Sequence, residues 1–162
     1  MPTDELLLSL LKKAVKKCYE NDSPLIERSM EQASVARIYY YMQNAINIEN
    51  KFSKLKQYNL DCEYNKNGQH IKTTPRCPKG TRPDIILHKR NCNDANLIVI
   101  EFKPRNATYR KKDGQYIDTI KLEDFTSCDI YNYQIGVLVK LHKKEPKYEF
   151  FKHGQKIDIN LT

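Results

Sequence analysis

Tryptophan is absent from this 162-residue chain, glycine occurs only five times, and no apolar run approaches the 18 residues of a membrane span. A transmembrane helix is therefore not expected, and so few glycines leave no glycine-rich phosphate loop. The start, Met1-Pro2-Thr3-Asp4-Glu5, is acidic where a secretory leader is positive, and Leu6 to Leu11 is short for the apolar core of such a leader. The five cysteines, Cys18, Cys62, Cys77, Cys92 and Cys128, are odd in number and never closer than fifteen residues, so neither a disulfide framework nor a CxxC zinc site is indicated. Core or surface thiols are the expectation for them, in a reducing, cytoplasmic compartment. His70, His88, His142 and His153 show no metal-ligand spacing.

What the chain has is charge. Twenty-eight Lys plus Arg against 20 Asp plus Glu leave a net +8, with pI ≈ 9.2 and mean hydropathy −0.74. A chain of this size hides roughly 70% of its unfolded surface on folding, so 40% apolar residues suffice for one core, in a single domain spanning 1–162. The surplus suits an anionic partner such as nucleic acid, and it serves solubility equally well. The basic residues fall in four clusters: Lys12 to Lys17, Lys72 to Arg82, Lys103 to Lys112 and Lys140 to Lys147.

The first half is helical in pattern and the second half reads as strands. Leu6, Leu7, Leu10, Leu11, Ala14 and Val15 recur at three and four, with Thr3 or Asp4 as cap, predicting a helix over 4–20. A second helix is predicted from Ser23 or Pro24 to about Asn47, on Val35, Ile38, Met42 and Ala45. In its Tyr39-Tyr40-Tyr41 run the three rings must point to several sides, part core and part exposed. After a polar stretch, Leu60 to Asn65 alternates like a strand, and Ile71 to Arg82 reads as a surface loop or irregular hairpin arm. Two apolar runs, Asp84 to His88 and Leu97 to Glu101, are joined by a polar linker suited to an antiparallel hairpin. Runs so apolar need helices against the sheet. Ile117 to Phe125 resumes helical spacing, Ile135 to Val139 is a strand, and Tyr148 to Ile159 forms a terminal hairpin turning at Gly154. The order is α-α-β-β-β-α-β-β, an α/β domain.

Glu-x-Lys occurs three times, where roughly 0.6 would arise by chance in this length, so the triplet alone says little. Context separates Glu101-Phe102-Lys103, which closes an apolar strand whose hairpin partner opens with Pro83-Asp84. Alternation places Glu101 and Lys103 on one face, about 7 Å apart, with Phe102 on the other, and the hairpin brings Asp84 alongside Glu101. Two carboxylates on neighbouring strands want a cation between them, and oxygen ligands suit a hard ion such as Mg²⁺, with Mn²⁺ as a substitute. The lysine can orient or help deprotonate a metal-bound water, or stabilise charge on a phosphoryl oxygen. At 100° per residue, Val35, Ile38, Met42 and Ala45 fall within about 40° of Glu31, placing that carboxylate in an apolar stripe, where it needs a partner or a metal. Glu27 is the reserve. Lys121, between Ile117 and Phe125 at i±4, is likewise a charge on an inward face, within reach of a scissile phosphate.

Pro83-Asp84, sixteen intervening residues and Glu101-Phe102-Lys103 resemble the PD-(D/E)xK nuclease superfamily, with its restriction-endonuclease-like fold. More narrowly, Glu31, Arg37-Ile38, Asp61 to Asn65, Arg82 to Ile86, Glu101-Phe102-Lys103 and Lys121-Leu122 with Phe125-Thr126 resemble an uncharacterised prokaryotic subgroup. The resemblance implies an α-β-β-β-α-β core, a central mixed β-sheet flanked by helices, here with one extra N-terminal helix and a terminal hairpin. It also implies a metal-dependent phosphodiesterase acting on nucleic acid, with DNA the favoured polymer. Asp84, Glu101, the Phe102 carbonyl and Glu31 then form the metal shell, Lys103 acts on the attacking water, and Lys121 holds the phosphate. Lys72, Arg76, Lys79 and Arg82 before the hairpin, and Arg105, Arg110, Lys111 and Lys112 after it, lie where they could grip backbone phosphates. A homodimer is left open.

Each feature has a plainer reading beside it. Glu101 and Lys103 can simply pair on a solvated sheet face, and Glu31 can be neutralised by Arg37 or Lys121. The rival function keeps the fold and drops the catalysis: a nucleic-acid-binding or protein-interaction module whose charges form a structural network. A third reading treats +8 as solubility alone, with a protein partner.

Overall fold

The computed structural model describes residues 1–107, 111, 112, 114–127 and 131–159. Helix α1 (Asp4–Asn21) starts where Thr3 Oγ1 accepts the Leu6 N–H at 3.3 Å, with Asp4 and Glu5 in the first turn, where acidic side chains meet the positive end of the helix dipole. The predicted second helix is two. Short α2 (Ser23–Glu27) stops and α3 (Glu31–Ile48) starts afresh. The break is a Schellman closure: Ser29 adopts φ 57, its N–H reaches Ile26 O at 3.0 Å, and the Met30 N–H reaches Leu25 O at 2.9 Å. No Gly or Pro marks it, so the continuous apolar spacing concealed it. Asp22 fastens the corner, accepting from Arg37 Nε at 3.0 Å and from Tyr41 Oη at 2.6 Å.

A 3₁₀ turn (Asn50–Leu55) follows, burying Phe52 and Leu55 in what the sequence presented as a polar stretch. The strands are β1 (Asn59–Cys62), β2 (Lys66–Asn67), β3 (His70–Ile71), β4 (Ile85–His88), β5 (Ile98–Pro104), β6 (Lys111–Lys112) and β7 (Gln115–Tyr116). Helix α4 (Ile117–Ser127) and strands β8 (Ile135–Leu141), β9 (Pro146–Lys152) and β10 (Gln155–Ile157) complete the chain. Among the described residues the main sheet has six strands in the order β1-β4-β5-β8-β9-β10, with β5 and β8 parallel and the other neighbours antiparallel. β2–β3 and β6–β7 are small separate ribbons.

Both faces of the sheet are covered, as runs this apolar require. Ile85, Leu87, Ile98, Ile100 and Phe102 face the core formed with α1 and α3, while Ile86, Val99 and Leu138 pack with Leu122 and Phe125 of α4 and with Tyr131 and Tyr133. Gly136 seats α4 closely, since a Cβ there would lie 3.0 Å from Thr126 Cγ2 and 3.3 Å from Leu122 Cδ2. The tyrosine run divides as expected: Tyr41 is buried, Tyr39 partly so, and Tyr40 exposed. Cys18, Cys62, Cys77 and Cys92 are free thiols, and Cys128 lies outside the described residues. Among those residues no helix is long and apolar enough to cross a membrane.

Candidate active site

The β4–β5 hairpin forms in the expected register, with Ile85 opposite Ile100 and Ile86 opposite Val99. One step further along, Asp84 comes beside the Glu101-Phe102 step, and its Oδ2 accepts the Phe102 N–H at 2.7 Å. Phe102 points into the α1–α3 core and Glu101 towards α4. Glu101 is 2% exposed, and Lys121 Nζ sits 3.1 and 3.3 Å from its two oxygens. Lys121 also lies 3.8 Å from Asp118, whose other oxygen is 3.2 Å from Lys103 Nζ. Three carboxylates, Asp84, Glu101 and Asp118, thus share the field of two ammonium groups, and Glu31 acts on Asp84.

Glu31 reaches this cluster differently from expectation. The helix break places it in the first turn of α3, half-buried, instead of inside a long apolar stripe. It lines a cavity of about 250 Å³ together with Gln32, Val35, Cys62, Glu63 and Asp84. Glu27, the reserve, is exposed at the end of α2.

The electrostatics follow from burial. Desolvation pushes Asp84 up from 3.8 to about 6, aided by the charge of Glu31 and opposed by the Phe102 N–H, Lys121 and Lys103. Glu101 is driven well above the ordinary glutamate range by burial and by Asp84, against the pull of Lys121. Burial alone would lower Lys121, yet Glu101 and Asp118 outweigh it and hold the ammonium charged above its usual range. A site that strains two carboxylates towards protonation gains from any cation that enters.

Asp118 was not singled out from the sequence, although it stands three residues before Lys121, one turn along the same helix face. As donors, Asp84, Glu101, Glu31 and the Phe102 carbonyl are all hard oxygens, which fits Mg²⁺ or Mn²⁺. In the arrangement described, Asp84 is turned to the Phe102 N–H and Glu101 to Lys121. Among the described residues no three His, Cys, Asp or Glu side chains group closely enough to hold a metal ion.

The basic residues divide sharply. Lys72 is not on a surface loop but 2% exposed, enclosed by aromatic rings and therefore unable to grip a phosphate backbone from the rim. Arg76 is folded against α4, with Nε 2.6 Å from Asp124 Oδ1, Nη2 2.9 Å from Glu123 Oε2, and its backbone N–H 3.1 Å from Asp124 Oδ2. Lys79 and Arg105 are exposed. Arg82, also exposed, lies 3.6 Å from Glu63. Lys111 and Lys112 are exposed on β6, Lys111 Nζ 5.0 Å from the Tyr116 ring centre and Lys112 Nζ donating to Arg76 O at 2.6 Å. Arg110 lies outside the described residues.

No protein-family model matches the chain, and no curated protein matches it either.

Proposed function

We propose that this chain is a metal-dependent nuclease on a restriction-endonuclease-like core, hydrolysing phosphodiester bonds of nucleic acid, with DNA the favoured substrate. The observation that supports it most is the pairing of two desolvated carboxylates, Asp84 and Glu101, on adjacent strands, with Lys103 and Lys121 beside them. A core stable for its own sake rarely desolvates a buried and a half-buried acid side by side with fewer cations than carboxylates around them. Asp84, Glu101 and the Phe102 carbonyl, with Glu31 directly or through water, would hold Mg²⁺ or Mn²⁺. The ion's contribution is to acidify a bound water and neutralise phosphoryl charge. Lys103, held by Asp118, would orient the attacking water, and Lys121, beside Glu101, would hold the scissile phosphate. Exposed Lys79, Arg82, Arg105, Lys111 and Lys112 supply non-specific phosphate contacts.

The second reading, a binding module without catalysis, draws on one feature: Lys121–Glu101 and Lys103–Asp118 already satisfy one another as ion pairs. Incubation with supercoiled plasmid and with single- and double-stranded oligonucleotides in Mg²⁺ or Mn²⁺ separates the two. The nuclease reading expects cleavage that is absent in Glu101→Ala and Lys103→Ala. Nucleic-acid binding without cleavage under either metal, in wild type as in the variants, leaves the module.

A further inference from the structure

A cavity of about 230 Å³ opens where strand β4 ends at His88, at the far end of that strand from Asp84. It lies between the β2–β3 turn and the β4–β5 turn, which are tied together by Asn93 Nδ2 donating to Asn67 Oδ1 at 3.1 Å. Among the described residues its lining carries two lysines, two histidines and four side-chain amides, and no carboxylate. By strand geometry it lies roughly 13 Å from Glu101.

Lys72 decides its character. The side chain is 2% exposed, and Nζ lies 3.2 Å from Tyr133 Oη and 4.9 to 5.7 Å from the ring centres of Tyr131, Tyr64, Tyr133 and Phe125. The aromatic faces compensate part of the ammonium's lost hydration, but among the described residues no anion pairs with it directly. Asp61 acts on Lys72 only through space, because its Oδ2 is held by His88 Nε2 and Arg90 Nε, each at 2.9 Å, and its Oδ1 by Arg90 Nη2. Burial lowers the Lys72 pKa from 10.5 to about 8, against the pull of Asp61, which still leaves it mostly protonated at pH 7. A buried, charged lysine bordering a polar cavity whose described lining carries no acid has room for an anionic ligand. The cavity is larger than a single oxyanion needs, and the Tyr64 ring and the amides can contact the group the anion is attached to.

We propose that this cavity binds a phosphate monoester, with the Lys72 ammonium at its floor and Lys66, His70 and the amides around its mouth. The phosphate could come from a free mononucleotide-sized molecule or from the terminus of a nucleic-acid strand, two sources with the same recognition chemistry.

The test is calorimetric titration of the full chain, at constant ionic strength and with a chelator present. The probes are inorganic phosphate, a nucleoside 5′-monophosphate, and a short oligonucleotide with and without a 5′-phosphate. The expected result is saturable one-to-one binding, weakened about tenfold or more by Lys72→Met, which keeps the stem among the rings and removes the charged donor. A preference for the phosphorylated oligonucleotide over the free monophosphate identifies the strand terminus, and the reverse identifies a small molecule. No saturable binding of any probe, or binding unchanged in folded Lys72→Met, overturns the proposal. Should circular dichroism show that variant unfolded, the exposed-mouth double variant Lys66→Gln/His70→Gln must weaken binding severalfold, and unchanged affinity then overturns it. Divalent metal is absent throughout, so failure here leaves the nuclease proposal standing, and failure to cleave leaves this one.

Discussion

Asp84→Asn tests the cost of the desolvated carboxylates directly. The folded-state pKa of Asp84, about 6 against 3.8, is set first by desolvation and then by Glu31, with the Phe102 N–H, Lys121 and Lys103 opposing. A folded-state value above the unfolded one means that the native protein keeps a proton which the unfolded chain has released. The associated stability is therefore full below pH 4 and is lost as pH rises through 6. The rise from 3.8 to about 6 corresponds to roughly 3 kcal/mol at its ceiling. The raised Glu101 pKa acts in the same direction. In Asp84→Asn the amide oxygen can still accept the Phe102 N–H, while the charge and its effect on Glu101 are gone. In metal-free urea denaturation, the variant should match wild type within about 1 kcal/mol at pH 4 and exceed it by about 1–3 kcal/mol at pH 8. Saturating Mg²⁺ should restore stability to wild type alone, by about 1.4 kcal/mol at ten times its Kd. A variant less stable than wild type at pH 8, or one with an unchanged pH slope, would show that Asp84 is a structural acceptor and not a strained functional acid.

Arg76→Ala should cost about 2 kcal/mol in the same assay, because it leaves the buried Asp124 carboxylate without its guanidinium. It should barely change the salt dependence of DNA binding, since Arg76 is already spent inside the fold. Arg105→Ala and Lys111→Ala, by contrast, should each reduce the slope of log K against log salt by about 1 with little change in thermal stability. Equal slopes in wild type and variants would remove these side chains from the interface. Gly154→Ala should lower the unfolding midpoint by several degrees, since φ is +74° there and a Cβ would lie 2.4 Å from Ser127 Cβ. An unchanged midpoint would mean that the terminal hairpin does not dock on α4 as described.

Much of the architecture was legible because its signals are local. The β4–β5 hairpin follows from two apolar runs and a polar linker, and its register brings Asp84 to Glu101 without any long-range information. The inward placement of Lys121 came from apolar neighbours one turn away on each side. The break after α2 was not legible, because Ser29 takes a left-handed conformation that sequences usually mark with Gly or Asn. It moves Glu31 from the middle of a stripe to a helix start and leaves it half-buried at the cavity. Lys72 and Arg76 looked alike in a loop rich in basic residues, yet one is enclosed by aromatic rings and the other is clamped to Glu123 and Asp124.

The sequence by itself determined where the central strands of the main sheet lie, that helices must cover the sheet, and that an acid pair with a lysine two residues on closes the central hairpin. Those facts depend on periodicity and on neighbours within a few positions. Only the tertiary structure decided which charges are neutralised, which are strained and which remain free for a ligand. Lys121 meets Glu101 from 20 residues away, Arg76 meets Asp124 from 48, and Lys72 meets Tyr133 from 61. Desolvation and ion pairing depend on these through-space distances, so a net charge of +8 resolves into an acid-rich pocket, a buried ammonium and a majority of exposed cations only once the chain has folded.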